Sequence, residues 1–249
     1  MRLDHLLNLR KTSLLQTFNL RKLILVMYLG PFSIALLLIP TLLPIIYNFW
    51  KKKPMKPVLL IYLCCIATVI SYPIVSYVTN FDFAYYVVSK FLLFAVYPVV
   101  TIIYLERWKL KEIFYKLGVN RKNLKKSILY GFVALLVTGF FAYISLEQGY
   151  YEGFKSVLLF LEAFNEEFFF RGFLFLYLMT KTDFKISYVT SVLGFILIHP
   201  QHFDRLFILS TISQAILMTY ITGKTKNIIG PWFSHGLNRF IPGLIKLVI

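Results

Sequence analysis

The chain has 249 residues, of which 58% are hydrophobic and only 15% charged, where soluble domains average roughly 45–50% and about 25%. That much apolar side chain leaves too little polar surface to cover a soluble domain, and the same numbers exclude a disordered chain and a disulfide scaffold. The formal net charge of +16 sits in short segments between apolar runs, which suits the anionic headgroups of a lipid bilayer and argues against nucleic acid as a partner.

Residues 1–22 hold Arg2, Arg10, Lys11, Arg21 and Lys22 among Leu and Phe. They read as a basic amphipathic N-terminal segment lying on the membrane, or as a solvated tail. Residues 23–249 read as a single transmembrane domain. A helix needs about 20 apolar residues to cross the hydrocarbon, and runs of that order fall at 23–50, 58–79, 83–105, 128–146, 157–180, 186–203, 206–222 and 228–249. The expected fold is therefore all-α, a polytopic membrane protein with about eight transmembrane helices. A barrel would alternate polar and apolar residues in pieces of about ten, and runs such as Ile128–Val137 do not alternate. Pro31, Pro40 and Pro44 predict a kinked first run, or one that crosses twice. Cys64 and Cys65 lie in an apolar run and read as small buried hydrophobes.

The loops set the orientation. Four Lys fall in 51–57, eight Lys or Arg in 106–126, and two Lys each in 181–185 and 223–227. Eight crossings put all four loops on one side, which the positive-inside rule makes cytoplasmic. The tail 1–22 then falls outside, unless 23–50 crosses twice. The Lys-, Ile- and Phe-rich composition suggests an AT-rich bacterial genome, and so a bacterial cell membrane as the location.

Ionisable groups inside the spans each cost roughly 2.5–3.5 kcal/mol on insertion scales and so need a partner or a task. Lys90 and Lys246 stand singly and read as structural. The run 157–180 is different: it holds Glu162, Glu166, Glu167 and Arg171. Glu167 and Arg171 are four apart and can pair on one helix face. Glu166 is turned about 100° from Glu167, lacks Arg171 as a direct partner and reads as an unpaired carboxylate that serves as general base. Glu162, one turn earlier, reads as a polar neighbour. His199 follows Phe195 by four residues and precedes Pro200, which should end its helix. His202 comes three later. His235 lies in the last run, with Asn238 one turn on. A carboxylate and one imidazole can hold and deprotonate water, while a second imidazole and an amide can donate to an oxyanion.

At these residues the chain resembles the CAAX prenyl endopeptidase and bacteriocin-processing (CPBP) family of intramembrane proteases. The family's Glu-Glu-x-x-x-Arg is matched by Glu166, Glu167 and Arg171, and its Phe-x-x-x-His by Phe195 and His199. Its His-x-x-x-Asn/Asp is matched by His235 with a departure: the fourth residue on is Arg239, and Asn238 comes one position early. The resemblance covers roughly 115–245 and places the catalytic motifs in 157–249. It implies that Glu166 and His199 activate water, that Glu167 and Arg171 orient Glu166, that His235 with Asn238 stabilises the oxyanion, and that Phe195 shapes the substrate pocket. The resemblance fits a reaction with or without metal, and the absence of a close-spaced HExxH pattern favours one needing no cofactor. A zinc ion held by Glu166, His199 and His235 is the alternative.

The implied function is an intramembrane endopeptidase hydrolysing a peptide bond of a membrane-associated or lipidated peptide or protein, in peptide maturation or bacteriocin self-immunity. Two other readings stand beside it. One is a non-catalytic immunity or scaffold protein. The other is a proton-coupled transporter, against which the lack of an internal repeat counts.

Overall fold

The computed structural model describes residues 34–203 and 205–249. The basic segment 1–22 and the start of the first apolar run lie outside the described residues. In chain order the helices are α1 (Leu38–Thr41), α2 (Leu43–Trp50), α3 (Met55–Thr79), α4 (Phe83–Glu106), α5 (Leu110–Lys116), α6 (Leu124–Ser145), α7 (Phe154–Glu167), α8 (Phe184–Leu197), α9 (Phe207–Thr225), α10 (Ile229–Asn238) and α11 (Ile241–Val248). No strand occurs among the described residues.

The chain is an all-α, polytopic membrane protein. Helices α3, α4 and α6 are long and apolar enough to cross a membrane, and shorter apolar helices cover Leu38–Trp50 and Phe184–Leu197. Their outward faces are apolar, with Ile70, Val100 and Leu136 all exposed, as a lipid-facing surface requires.

Several expected runs are helical but not continuous. The run 157–180 begins as α7 and passes at Phe168 into a π-helical stretch, Phe168–Tyr177, every residue of which is buried. Such wide turns are rare and concentrate at functional sites. The run 228–249 is two helices, because Phe240 leaves helical geometry (φ −139°) ahead of Pro242, whose ring would clash with the carbonyl four residues back. In the first run, Pro44 sits in the opening turn of α2 and marks the break from α1.

Helices α6 and α10 cross at Gly131 and Gly230. A methyl group on Gly230 would overlap the Ser127 carbonyl oxygen, and the Gly230 N–H donates to Ser127 Oγ at 3.1 Å. Small residues let membrane helices approach this closely. Gly230→Ala must push the helices apart, at a cost of about 1–3 kcal/mol for overpacking. Its thermal transition in detergent should fall well below that of wild type.

The four basic loops gather at one end of the bundle. Lys53 Nζ donates to the Thr182 carbonyl (2.6 Å) and Lys181 pairs with Glu106 (2.5 Å). Asn227 donates to the Asn120 carbonyl (2.6 Å) and Asn123 to the Thr225 carbonyl (3.0 Å). At the opposite end, the segment after α6 packs on α11: the Tyr150 N–H donates to the Gly243 carbonyl (3.0 Å).

Asp183 caps α8 at the basic end, accepting from the Ile186 N–H at 2.8 Å. Partial burial raises its carboxyl pKa, but the hydrogen bonds from Ile186 and Tyr47, with Lys53 close by, outweigh burial and hold it below the usual aspartate value. A depressed folded-state pKa gives stability that is fully present above the unfolded value of about 3.9 and is lost as pH falls through the folded one. Asp183→Ala should cost about 0.5–2 kcal/mol at pH 7. It should also flatten the acid side of a plot of Tm against pH, read from thermal unfolding between pH 7 and pH 3.

Candidate active site

Four elements bring the functional side chains together. Helix α7 and the π-helical stretch supply Glu162, Glu166, Glu167 and Arg171, all buried. Helix α4 supplies Lys90. His199 lies just past the end of α8 with φ −118° and ψ 48°, outside the helical region, as a residue before proline prefers. Helix α10 supplies His235 and Asn238, and Arg239 follows at its end. The Trp232 indole N–H donates to the Phe160 carbonyl at 2.9 Å, which fixes α10 against α7 and sets His235 opposite Glu167.

Glu167 is held twice. Its Oε2 lies 3.3 Å from Arg171 Nε, the expected i,i+4 pair, and its Oε1 accepts from His235 Nδ1 at 2.8 Å. Arg171 also donates to the Gln214 carbonyl (3.2 Å) and lies 4.2 Å from the Phe195 ring centroid. Phe195 is a shared platform, with its centroid 4.8 Å from His199 and 5.5 Å from His235.

The hydrogen bonds fix both imidazole tautomers. His199 Nδ1 is 2.7 Å from the Phe195 carbonyl, which can only accept. The proton is therefore on Nδ1, and in the neutral ring Nε2 carries the lone pair. The same reasoning applies to His235, whose Nδ1–H donates to Glu167. The two Nε2 atoms face Glu166 Oε2, at 3.9 Å from His199 and 3.6 Å from His235.

Three expectations are corrected here. Glu166 does not lack a cation: its Oε1 is 2.5 Å from Lys90 Nζ and 3.0 Å from Arg239 Nη2. Lys90 is not merely structural, since its ammonium also pairs with Glu162, and Arg239 reaches Glu162 Oε2 at 2.9 Å. Glu162 is thus the second anion of a four-charge cluster rather than a polar neighbour. The signal for this was charge balance. Three intramembrane carboxylates with one Arg call for further cations, and Lys90 and Arg239 both lie inside the expected spans.

Asn238 lines the cavity, and its Nδ2 donates to Ser210 Oγ at 3.2 Å. Ser210 in turn donates to the Thr138 carbonyl (2.9 Å), so the serine must accept from the amide. His202 stands beyond His199, its ring 5.3 Å away and its Nδ1 2.7 Å from Thr211 Oγ1.

A cavity of about 540 Å³ connects these groups, lined by Glu166, His199, His235, Lys90 and Arg239 together with Tyr72, Tyr86 and Tyr150. No group of three His, Cys, Asp or Glu side chains has metal-binding geometry among the described residues. The carboxylate of the set Glu166, His199 and His235 already meets Lys90 and Arg239 through its Oε1.

Fold and site together define an integral membrane protein of the all-α class with a buried Glu-His cluster open to a cavity. Residues 148–241 match the family model described as type II CAAX prenyl endopeptidase Rce1-like, and over that segment the chain is similar to this family. The family's description is that of a CAAX-type protease, a peptide hydrolase. The matched segment holds Glu162 through Arg239 but not Lys90, which comes from outside it. No curated protein and no solved structure matches the chain.

Proposed function

We propose that the chain is an intramembrane endopeptidase in which Glu166 and His199 activate a water molecule. The observation that carries this reading is the convergence of Glu166 Oε2, His199 Nε2 and His235 Nε2 on one wall of the cavity. Two acceptors 3.9 Å apart can share one water, each taking one of its O–H groups. The water oxygen bonds to the carbonyl carbon of the substrate while its proton passes to Glu166. That proton then goes to the amide nitrogen as the C–N bond breaks, leaving a carboxylic acid and an amine. His235 acts as a donor once its Nε2 is protonated, and Glu167 beside Nδ1 stabilises that imidazolium. One oxyanion donor is typically worth roughly 10²–10³ in rate. Asn238 keeps its second amide N–H for the same oxyanion. Phe195 aligns both rings. Lys90 and Arg239 act as positioning residues for Glu166.

The substrate is a membrane-associated peptide or protein, in the sense of peptide maturation or self-immunity against a bacteriocin. The double ion pair on Glu166 favours a second reading, a non-catalytic immunity or scaffold protein in which the cluster only fixes helix packing. Both readings are tested by cleavage of fluorogenic lipidated and leader peptides by the protein in nanodiscs, with and without a strong chelator. Cleavage that survives the chelator is the expected result. Loss on chelation with recovery on adding zinc would overturn the metal-free mechanism. Absence of cleavage across the panel, with a cellular phenotype that survives Glu166→Gln, would replace the protease with the binder.

A further inference from the structure

We infer that the cavity opens on the side of the membrane away from the cytoplasm, so that the substrate is an exported peptide segment and export must precede cleavage. The inference rests on the protease reading for the word substrate, but its geometry is independent of that reading.

Two distributions in the molecule point the same way. The first is charge. The loops 51–57, 106–126, 181–185 and 223–227 together hold sixteen Lys or Arg and three acidic residues. Hydrogen bonds and an ion pair join these loops at one end of the bundle. Outside the buried cluster, the segments at the other end (80–82, 146–155, 198–206 and 240–249) hold three basic residues, Lys155, Arg205 and Lys246, and four acidic ones. Adding the five bases of residues 1–22 to that side still leaves the excess with the loops. Short loops rich in Lys and Arg stay in the cytoplasm, and Asp and Glu contribute little to this rule.

The second distribution is the cavity wall. Helix α3 leaves the basic end at Met55 and contributes Tyr72 and Ser76, near its far end. Helix α4 arrives at the basic end at Glu106 and contributes Tyr86 and Lys90 from its opposite end. Helix α9 ends at Thr225 among the basic loops, and it contributes Phe207, Thr211 and Gln214 from its start. Tyr150 and Gln201, from the segments at the far end, complete the mouth. Every helix therefore presents to the cavity the half that lies away from the lysines. A cytoplasmic lipidated tail would meet the basic end of the bundle, away from the residues that line the cavity. A peptide already moved across the membrane would meet the mouth.

The test is labelling of single-cysteine variants of the full chain with a membrane-impermeant maleimide in intact bacterial spheroplasts. Cys64 and Cys65 are buried, so the wild-type chain serves as the unlabelled background. Ser76→Cys reports the mouth, Gln148→Cys the loop beside it and Lys111→Cys the basic end. All three positions are exposed. The expected result is that Ser76→Cys and Gln148→Cys label in intact spheroplasts, while Lys111→Cys labels only after permeabilisation. The reverse pattern overturns the inference. Labelling does not depend on catalysis. A correct pattern with an inactive protein would therefore remove the protease and keep the orientation, and an active protein with the reverse pattern would do the opposite.

Discussion

Glu166→Gln is expected to lower cleavage by roughly 10²–10⁴, the usual worth of a positioned general base, without changing the size of the side chain. The substitution also removes one negative charge from a cluster in which Lys90 and Arg239 face Glu162 and Glu166. An uncompensated buried charge costs about 3–5 kcal/mol, so the single variant should also unfold at a lower temperature. A second variant separates the two effects. Glu166→Gln combined with Lys90→Met returns the cluster to one anion and one cation. The thermal transition should recover and the cleavage should not. Turnover at the wild-type level in Glu166→Gln, or its return in the double variant, would show that Glu166 contributes only packing. Rates from quenched peptides and unfolding curves on the same preparations supply both readouts.

How much of this arrangement was legible in the sequence depended on whether a contact was local. Glu167 and Arg171 pair across four residues of one chain segment, and the expected pair is present at 3.3 Å. His199 before Pro200 was readable because proline limits the residue that precedes it. His199 and His235 were readable as intramembrane histidines on two separate runs. Their tautomers depend on which carbonyl or carboxylate meets Nδ1, and that is a matter of helix packing. Lys90 pairs with residues more than seventy positions away, through a helix contact that no periodicity encodes. Arg239 was visible as a departure from the family pattern but could not be assigned. Its backbone lies just past the end of α10, and its side chain returns to α7 by a route set by that ending. The π-helical stretch was hidden for a simpler reason. An apolar run buried on all sides carries no polar face from which to read 3.6 residues per turn rather than a wider turn.

Arg239 is the residue by which this site departs from the family pattern, and its removal should separate charge from geometry. Its Nη2 bridges Glu162 Oε2 and Glu166 Oε1 at 2.9 and 3.0 Å, so the guanidinium sets the distance between the two carboxylates as well as balancing them. Arg239→Ala leaves two carboxylates on Lys90 and should destabilise by about 3–5 kcal/mol. Adding Glu162→Gln restores the charge balance and should recover most of that loss. If Arg239 acts only on stability, the double variant will cleave like wild type. If it holds Glu166 at the place where water is activated, kcat will stay down by about 10²-fold, the cost of misplacing a reacting group by about 1 Å, while KM stays near wild type. Arg239→Lys keeps the charge but offers a point donor in place of a fork. It should retain the stability of wild type and sit between wild type and the double variant in kcat. A lysine variant indistinguishable from wild type in rate would mean that the charge alone is enough, and that the bridge between Glu162 and Glu166 has no part in setting the base.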